Sequence, residues 1–476
     1  MMGGVSLLSM VPVPHRPVAR FESVIGGPRY RRLRDTADEF RQRLAGRRIW
    51  NVNSTAAGGG VAEMLQALVG YVEDLGVPTQ WTVIDGDPAF FEITKRLHNR
   101  IHGAAGDGGE LGPAESEHYA AVLRANAAEL VTQLGSGDLV LLHDPQTAGL
   151  VAPLVEAGAT VVWRSHIGAD REDAVTETAW RFLRPYLEPA HGYVFSRRQY
   201  VPSWVPAGSV GIIPPSIDPF AAKNQDLSPE TVRAVLATIG VVDDAVPEKP
   251  GRFVRDDGST GEITRTATVV ADGLPGPDDP VVAQVSRWDR LKDMAGVMRG
   301  FADHAALAGP GYLLLVGPAV SEVSDDPEGA AVYAECVAAW RSLPAPARAR
   351  VLLVTLPLDD VDENAAMVNA IQRHATALAQ KSLAEGFGLT VAEGMWKGRP
   401  VIGSAVGGIQ DQIVDGTGIL LPDPTDLRAF GGAVRYLLDH PDEADRMGRA
   451  AHEHIRNTSV GDLHLLRYAE LFGALL

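Results

Sequence analysis

From about residue 46 onward the chain alternates short, unbroken apolar runs with helix-patterned stretches, and it does so in two successive series. In the first, RRIWNVNS (47–54), WTVID (81–85), DLVLLHD (138–144), TVVWRSH (160–166) and GYVFS (192–196) read as strands. Helical patterns run from Val61 to about Leu75, over 89–103 and over 116–134. Apolar runs without polar alternation suit strands covered on both faces, and strands alternating with helices build parallel sheets. SVGIIPPSIDPF (209–220), a strand broken by prolines, reads as a linker. A second series follows: PVVAQVS (280–286), YLLLVG (312–317), RVLLVTL (350–356), ATALAQKS (375–382) and PVIGSAV (400–406), with helices between and after. The expected fold is α/β, with two doubly wound Rossmann-like domains. The first is 1–215 completed by a C-terminal helix at 463–476, and the second is 216–462. Residues 241–280, rich in Gly, Pro and Asp, read as an insertion in the second domain, part of it a surface hairpin.

Charge narrows the partners. Against 43 Lys plus Arg stand 60 Asp plus Glu, a formal charge of -17. That field repels nucleic-acid phosphates and anionic membranes, so neither is an expected partner. A phosphate ligand would need a local cluster of cations. The single cysteine, Cys336, rules out an intramolecular disulfide or a Cys-based zinc site. No run of about 20 apolar residues and no basic-then-apolar leader occurs, so the expected compartment is the cytoplasm.

Open α/β sheets bind ligands beyond the carboxyl ends of their strands. After the first strand comes Ala56-Ala57-Gly58-Gly59-Gly60, opening a helix. Such a turn either simply tightens the connection or lets backbone N–H groups approach an anion. Directly after a strand of the second series, QVSRWDRLKD (284–293) places Arg287 and Lys292 across a strand-to-helix turn. Both can reach one phosphate, Arg as a fork and Lys as a point charge. The plainer alternative is a solvated pair bridged to Asp289 or Asp293. KSLAEGFGLTVAEGMWKGRPVIGS (381–404) then offers Glu385, the turn Gly386-Phe387-Gly388, Leu389 opening a helix, and Glu393 on that helix. The turn suits a diphosphate at a helix start, and ionised carboxylates suit hydroxyl-rich ligands such as a sugar or a ribose diol.

In the first series, strand ends carry His143, Asp144 and Gln146, then Arg164 and His166, all expected to line the ligand crevice. Lys95, His98 and Asn99 share one face of the 89–103 helix, where a solvated surface is the competing reading. The chain contains no G-x-x-x-x-G-K-[ST], G-x-S-x-G or H-E-x-x-H motif. Nor is there a convincing G-x-G-x-x-G followed by a ribose-binding acidic residue, so hydrolase and dehydrogenase readings lose ground.

Together the glycine loop 58–60, the R-x4-K of Arg287 and Lys292, and the E-x7-E of Glu385 and Glu393 resemble the retaining family-four glycosyltransferases of GT-B fold. The resemblance spans roughly 46–476. Within that family IWNVNSTAAGGGVAEMLQALV, FFEITKRLHNRIHG, LVLLHDPQ, VVWRSHI and EGFGLTVAEGMWKGRPVIGSAVGGIQDQIVDG look like the trehalose-forming glycosyltransferring synthases. The insertion 241–280 has no counterpart in that likeness.

The resemblance implies two domains facing a central cleft. It further implies transfer of glucose from a nucleoside-diphosphate glucose to glucose, with retention and with no protein nucleophile. Arg287 and Lys292 would hold the diphosphate, and Glu393 the ribose. Glu385 and the amides of Gly386, Phe387, Gly388 and Leu389 would hold the transferring sugar and phosphate. Gly59 and Gly60 would close over the diphosphate, and His166 would contact the donor sugar. Lys95, Asn99, Asp144 and Gln146 are the candidates for the acceptor. No cofactor or obligatory metal is implied, because protein cations already neutralise the diphosphate. The expected partners are small molecules (donor, glucose and trehalose), and a homodimer stays open. The alternatives are a trehalose phosphorylase, a related glucosyltransferase with another acceptor, and a non-catalytic sugar- or nucleotide-binding regulator.

Overall fold

Each apolar run becomes a strand, and sheet order decides which strand ends lie side by side. The structure, a computed structural model, describes residues 6–57, 60–320 and 327–476. The chain divides into two compact units, Met1–Ser216 with Ser459–Leu476, and Ile217–Thr458.

The first unit holds a seven-stranded sheet of β1 (Leu8–Met10), β2 (Ile49–Asn53), β3 (Thr79–Ile84), β4 (Leu139–His143), β5 (Thr160–Ser165), β6 (Gly192–Phe195) and β7 (Val210–Ile212). Its order is β1-β3-β2-β4-β5-β6-β7. Only β1, on the edge, runs antiparallel, Leu8 lying opposite Ile84. β2, β4 and β6 are buried along their whole length, which is why they read as unbroken apolar runs.

The direction of the sheet order reverses between β2 and β4, so the loops after these two strands flank the switch point where ligands settle. One of the covering helices, Pro88–Ile101, starts where Asp87 accepts from Phe90 N at 2.8 Å and Pro88 fills the first turn. The last helix, Gly461–Leu475, packs on Gly27–Leu44: Phe40 and Phe472 stack, and Arg29 grips the buried Asp462 at 2.6 and 2.7 Å. The C-terminal residues therefore complete the core of the first unit.

In the second unit the main sheet comprises β10 (Thr268–Val270), β11 (Val281–Val285), β12 (Tyr312–Pro318), β13 (Val351–Leu356), β14 (Ala377–Gln380), β15 (Val401–Ser404) and β16 (Gly418–Leu421). The order β10-β13-β12-β11-β14-β15-β16 contains the dinucleotide-fold arrangement, and its direction reverses between β11 and β14. The insertion does two structural jobs. β8 (Arg252–Val254) and β9 (Thr260–Glu262) form a separate hairpin, while β10 adds an antiparallel edge to β13. Arg255 clamps the hairpin onto Asp360 at 2.8 and 2.6 Å, and the buried Glu363 accepts from Thr264 N and Arg265 N. Among the described residues, no helix is long and apolar enough to cross a membrane.

Candidate active site

The switch point of the second sheet brings the two strongest motifs together. Lys292 ends a short turn after β11, Glu385 sits in the loop after β14, and Lys292 Nζ lies 2.6 Å from Glu385 Oε2. Both are mostly but not wholly shielded, with side-chain exposures of 16% and 11%. Glu385 Oε2 also accepts from Ser382 Oγ at 3.2 Å and Gln380 Nε2 at 3.3 Å. The loop runs straight into the helix Leu389–Trp396, whose start carries no side-chain cap. An ammonium beside uncapped helix amides attracts a diphosphate.

Backbone packing holds this loop. Gly388 takes φ +79, a conformation that costs an L residue strain. Gly407, φ +50, passes so close that a Cβ would sit 1.9 Å from the Glu385 carbonyl oxygen. Gly408 N donates to Gly386 O at 2.8 Å, and the buried Gln412 donates through Nε2 to Phe387 O at 2.6 Å. Glu393, buried on the helix, faces Lys223 Nζ at 3.5 Å. Behind it Lys397 donates to Glu393 O and to Asn224 Oδ1, and burial pushes its ammonium down to about 7.

In the first unit, β4 and β5 end beside one another. His143 Nδ1 lies 2.9 Å from His166 Nε2 with the rings stacked, and Asp144 Oδ1 accepts from His166 N at 2.8 Å. Burial first, then the Arg164 charge, lowers both imidazoles, His143 to about 3 and His166 well below the ordinary value, so both are neutral near pH 7. An Nε2–H on His143 pointing at Asn51 Oδ1, 3.5 Å away, makes His166 Nε2 the donor to His143. His166 Nδ1 is then left as an acceptor.

Asp144 is strained as well as partly buried. Its φ of +64 and ψ of 176 fall in a region that almost only glycine uses, at a cost of about 1–3 kcal/mol. Its N–H on Arg164 O, and its carbonyl under Thr147 N and Trp163 Nε1, over-determine that backbone.

Comparison with known proteins places this geometry. Residues 51–202 match the trehalose synthase N-terminal domain family, and 361–454 match glycosyl transferases group 1. The trehalose synthase of Pyrococcus horikoshii is 33% identical over 97% of this chain and 97% of its own. The chain belongs to the trehalose synthase family. A second trehalose synthase, from Thermococcus litoralis, is 36% identical over 89% of this chain and 90% of its own. A trehalose phosphorylase of Pleurotus sajor-caju is 27% identical over 92% of this chain but 59% of its own. The crystal structure of a UDP-forming α,α-trehalose-phosphate synthase from Burkholderia xenovorans superposes with a TM-score of 0.63, covering 90% of this chain and 100% of that one, at 15% identity. The fold of this trehalose synthase relative is therefore GT-B, and the chain is a glycosyltransferase-type enzyme of trehalose metabolism.

Within this trehalose synthase family member the sequence candidates are distributed unevenly. Lys292, Glu385, Gly386, Phe387, Gly388 and Leu389 share one loop system, with Glu393 on the helix that follows. Arg287 does not join them through any contact among the described residues: its side chain is 68% exposed and faces Asp289 at 3.4 Å. Asp144 and His166 meet at one strand end, with Gln146 on the turn that follows. Lys95 is exposed and Asn99 half-buried on their helix. Gly58 and Gly59 lie outside the described residues, and Gly60 is the first residue of the helix Gly60–Asp74.

Two expectations need correction. Arg164 and His143 do not line a crevice, because both are wholly enclosed. Arg164 reaches inward to His464 Nε2 at 3.2 Å, to the Tyr468 hydroxyl and to Ile213 O, while His143 backs His166. Strand residues alternate faces, so the last residue of a strand can point inward as readily as outward. The brace residues Gln412, Gly407 and Gly408 lie in GGIQDQ, a stretch legible only as part of the resemblance.

Asp144 also makes a pH prediction. Burial, opposed by the His166 N–H and by Arg164, pushes its carboxyl up from 3.8 to about 7. The folded value exceeds the unfolded one. Its contribution is thus fully present below pH 4 and is lost as pH rises through 7. Asp144→Asn, which cannot ionise, should gain on the wild type between pH 5 and pH 8, by at most about 3 kcal/mol. Denaturant titrations at the two pH values measure this, and a difference that does not change with pH would contradict it.

Proposed function

We propose that the chain transfers glucose from a nucleoside-diphosphate glucose to free glucose, forming trehalose with retention of configuration. The contact of Lys292 with Glu385, at the switch point and beside an uncapped helix start, carries the reading. A diphosphate arriving there would share the Lys292 ammonium with Glu385, while the Glu385 carboxylate accepts from the sugar hydroxyls. Arg287, exposed and only loosely held by Asp289, can swing as the second cation. Glu393 would accept from the ribose diol. His166 would accept from a donor-sugar hydroxyl. Asp144, Gln146, Lys95 and Asn99 would meet the acceptor.

In the transfer the bond between the anomeric carbon and the diphosphate oxygen breaks, and a new one forms to the acceptor oxygen on the same face. The acceptor proton passes to the leaving phosphate oxygen. Negative charge grows on that diphosphate, so Lys292 and the helix start bind the transition state more tightly than the donor. In this reading protein cations neutralise the diphosphate without a metal, and turnover survives a chelator.

Incubation with ADP-, UDP- and GDP-glucose plus glucose should yield a non-reducing disaccharide with at least one donor. The phosphorylase relative motivates one second reading, in which trehalose and inorganic phosphate yield glucose 1-phosphate without any nucleotide. Product from the second mixture alone would replace the first reading. Nucleotide binding without turnover in either mixture would mark a silent binder.

A further inference from the structure

Two wholly buried polar side chains lie beneath the phosphate-side lysine and have no ligand of their own to hold. Gln284, near the end of β11, and Lys381, directly after β14, come from the adjacent strands that flank the switch point, and both have zero exposure. Gln284 Nε2 donates to the carbonyl of Lys292 at 2.7 Å, and its Oε1 accepts from Lys381 N at 3.2 Å. One amide therefore staples the Lys292 turn to the Glu385 loop. A backbone bond, Leu383 N to Leu291 O at 2.7 Å, runs parallel to it. The Lys381 ammonium pairs with the Asp293 carboxylate and donates to Pro424 O at 2.6 Å.

Asp293 is itself unusual. It takes φ +47 and ψ +45, rare for a non-glycine residue, and caps the helix Met294–His304 by accepting from Gly296 N at 3.1 Å. Lys292 is thus held at its own carbonyl by Gln284 and at the next residue by Lys381 through Asp293. With the backbone fixed, only the side-chain torsions of Lys292 remain, and they deliver Nζ to Glu385.

A charge pair with one partner wholly enclosed is a poor device for stability alone. Exchanging one for apolar residues of similar size is often neutral or stabilising. A charge pair does, however, fix direction and distance, because each partner has few low-energy positions away from the other.

We infer that Lys381 is a positioning residue. Its pairing with Asp293, with Gln284 beside it, sets the 290–293 turn so that Lys292 meets the donor diphosphate. The inference rests on the reading of Lys292 as the diphosphate cation. Lys381 touches no substrate and acts only through that turn.

The experiment compares Lys381→Met, Asp293→Asn and the double variant, each with and without Lys292→Ala, by steady-state kinetics of trehalose formation and by thermal unfolding. A misplacement of about 1 Å costs roughly 10²-fold in rate, so Lys381→Met should lower kcat by about that factor. The double variant buries no lone charge, so it should recover the melting temperature of the wild type while kcat stays low. It also carries the test if Lys381→Met alone does not fold. In the Lys292→Ala background, removing Lys381 should cost less than about threefold more, because both changes act through one contact.

Recovery of kcat together with the melting temperature would overturn the inference, as would an undiminished cost of Lys381→Met in the Lys292→Ala background. In both cases the diphosphate reading stands. A Lys292→Ala variant with wild-type turnover sinks that reading and this inference together.

Discussion

Lys292→Ala should lower kcat for trehalose formation by about 10²–10³-fold, with the fold retained. The factor is what removal of one preorganised electrostatic contact to a developing oxyanion costs, about 3–4 kcal/mol. The ammonium sits 2.6 Å from Glu385 in the loop that leads into the uncapped helix start. Glu385 keeps Ser382 and Gln380 as donors after the substitution, which limits the damage to the loop. Initial rates at saturating donor and acceptor, with circular dichroism as the check on folding, make the measurement. A kcat within about threefold of wild type would remove Lys292 from the chemistry.

The largest structural effect is expected at Gly407. An added Cβ would lie 1.9 Å from the Glu385 carbonyl oxygen and 2.7 Å from that of Gly386, and φ +50 already disfavours any L side chain. The neighbours in question are backbone atoms, so no side-chain rotation relieves the clash. Either the 385–388 loop shifts or the 405–408 segment does. Gly407→Ala should therefore cost about 3 kcal/mol or more of stability and weaken nucleoside-diphosphate binding at least tenfold, as the loop leaves its helix start.

Gly432, inside the helix Leu427–Asp439, supplies the control. A Cβ there meets nothing within 4 Å, so Gly432→Ala should raise stability by about 0.5–1 kcal/mol and leave binding alone. Equal melting temperatures for the two variants would mean that the close approach at Gly407 is unimportant.

That Lys292 and Glu385 could meet was legible in the residues. Lys292 and Glu385 each follow an apolar run, and an α/β sheet places such residues at one edge. Arg287 shows the limit of that argument. It occupies an equivalent place in the sequence, yet its side chain points to solvent and to Asp289, since a turn can present either direction to the ligand. His143 and Arg164 show the same limit from the other side, polar residues at strand ends that turn inward, Arg164 to His464 and Tyr468 and His143 to His166.

Gln284 and Lys381 carried no sequence signal. A glutamine and a lysine at the ends of strands look like surface residues until the partner strand is known. The edge strands β1 and β10 were equally hidden, because three residues are too few to show a period.

What the amino-acid order alone determined is the class of the protein: two series of enclosed strands with helices between them, and which loops carry cations, carboxylates and glycines. That much follows from hydrophobic periodicity and from the placement of polar residues after strands, both local properties. Tertiary structure alone decided that β11 and β14 are neighbours, and so that Lys292 meets Glu385, that Lys381 is enclosed against Asp293, and that Gly407 leaves no room beside the Glu385 carbonyl. Strand order and close approach depend on how distant segments pack, and nothing in a local pattern encodes the neighbour on the other side.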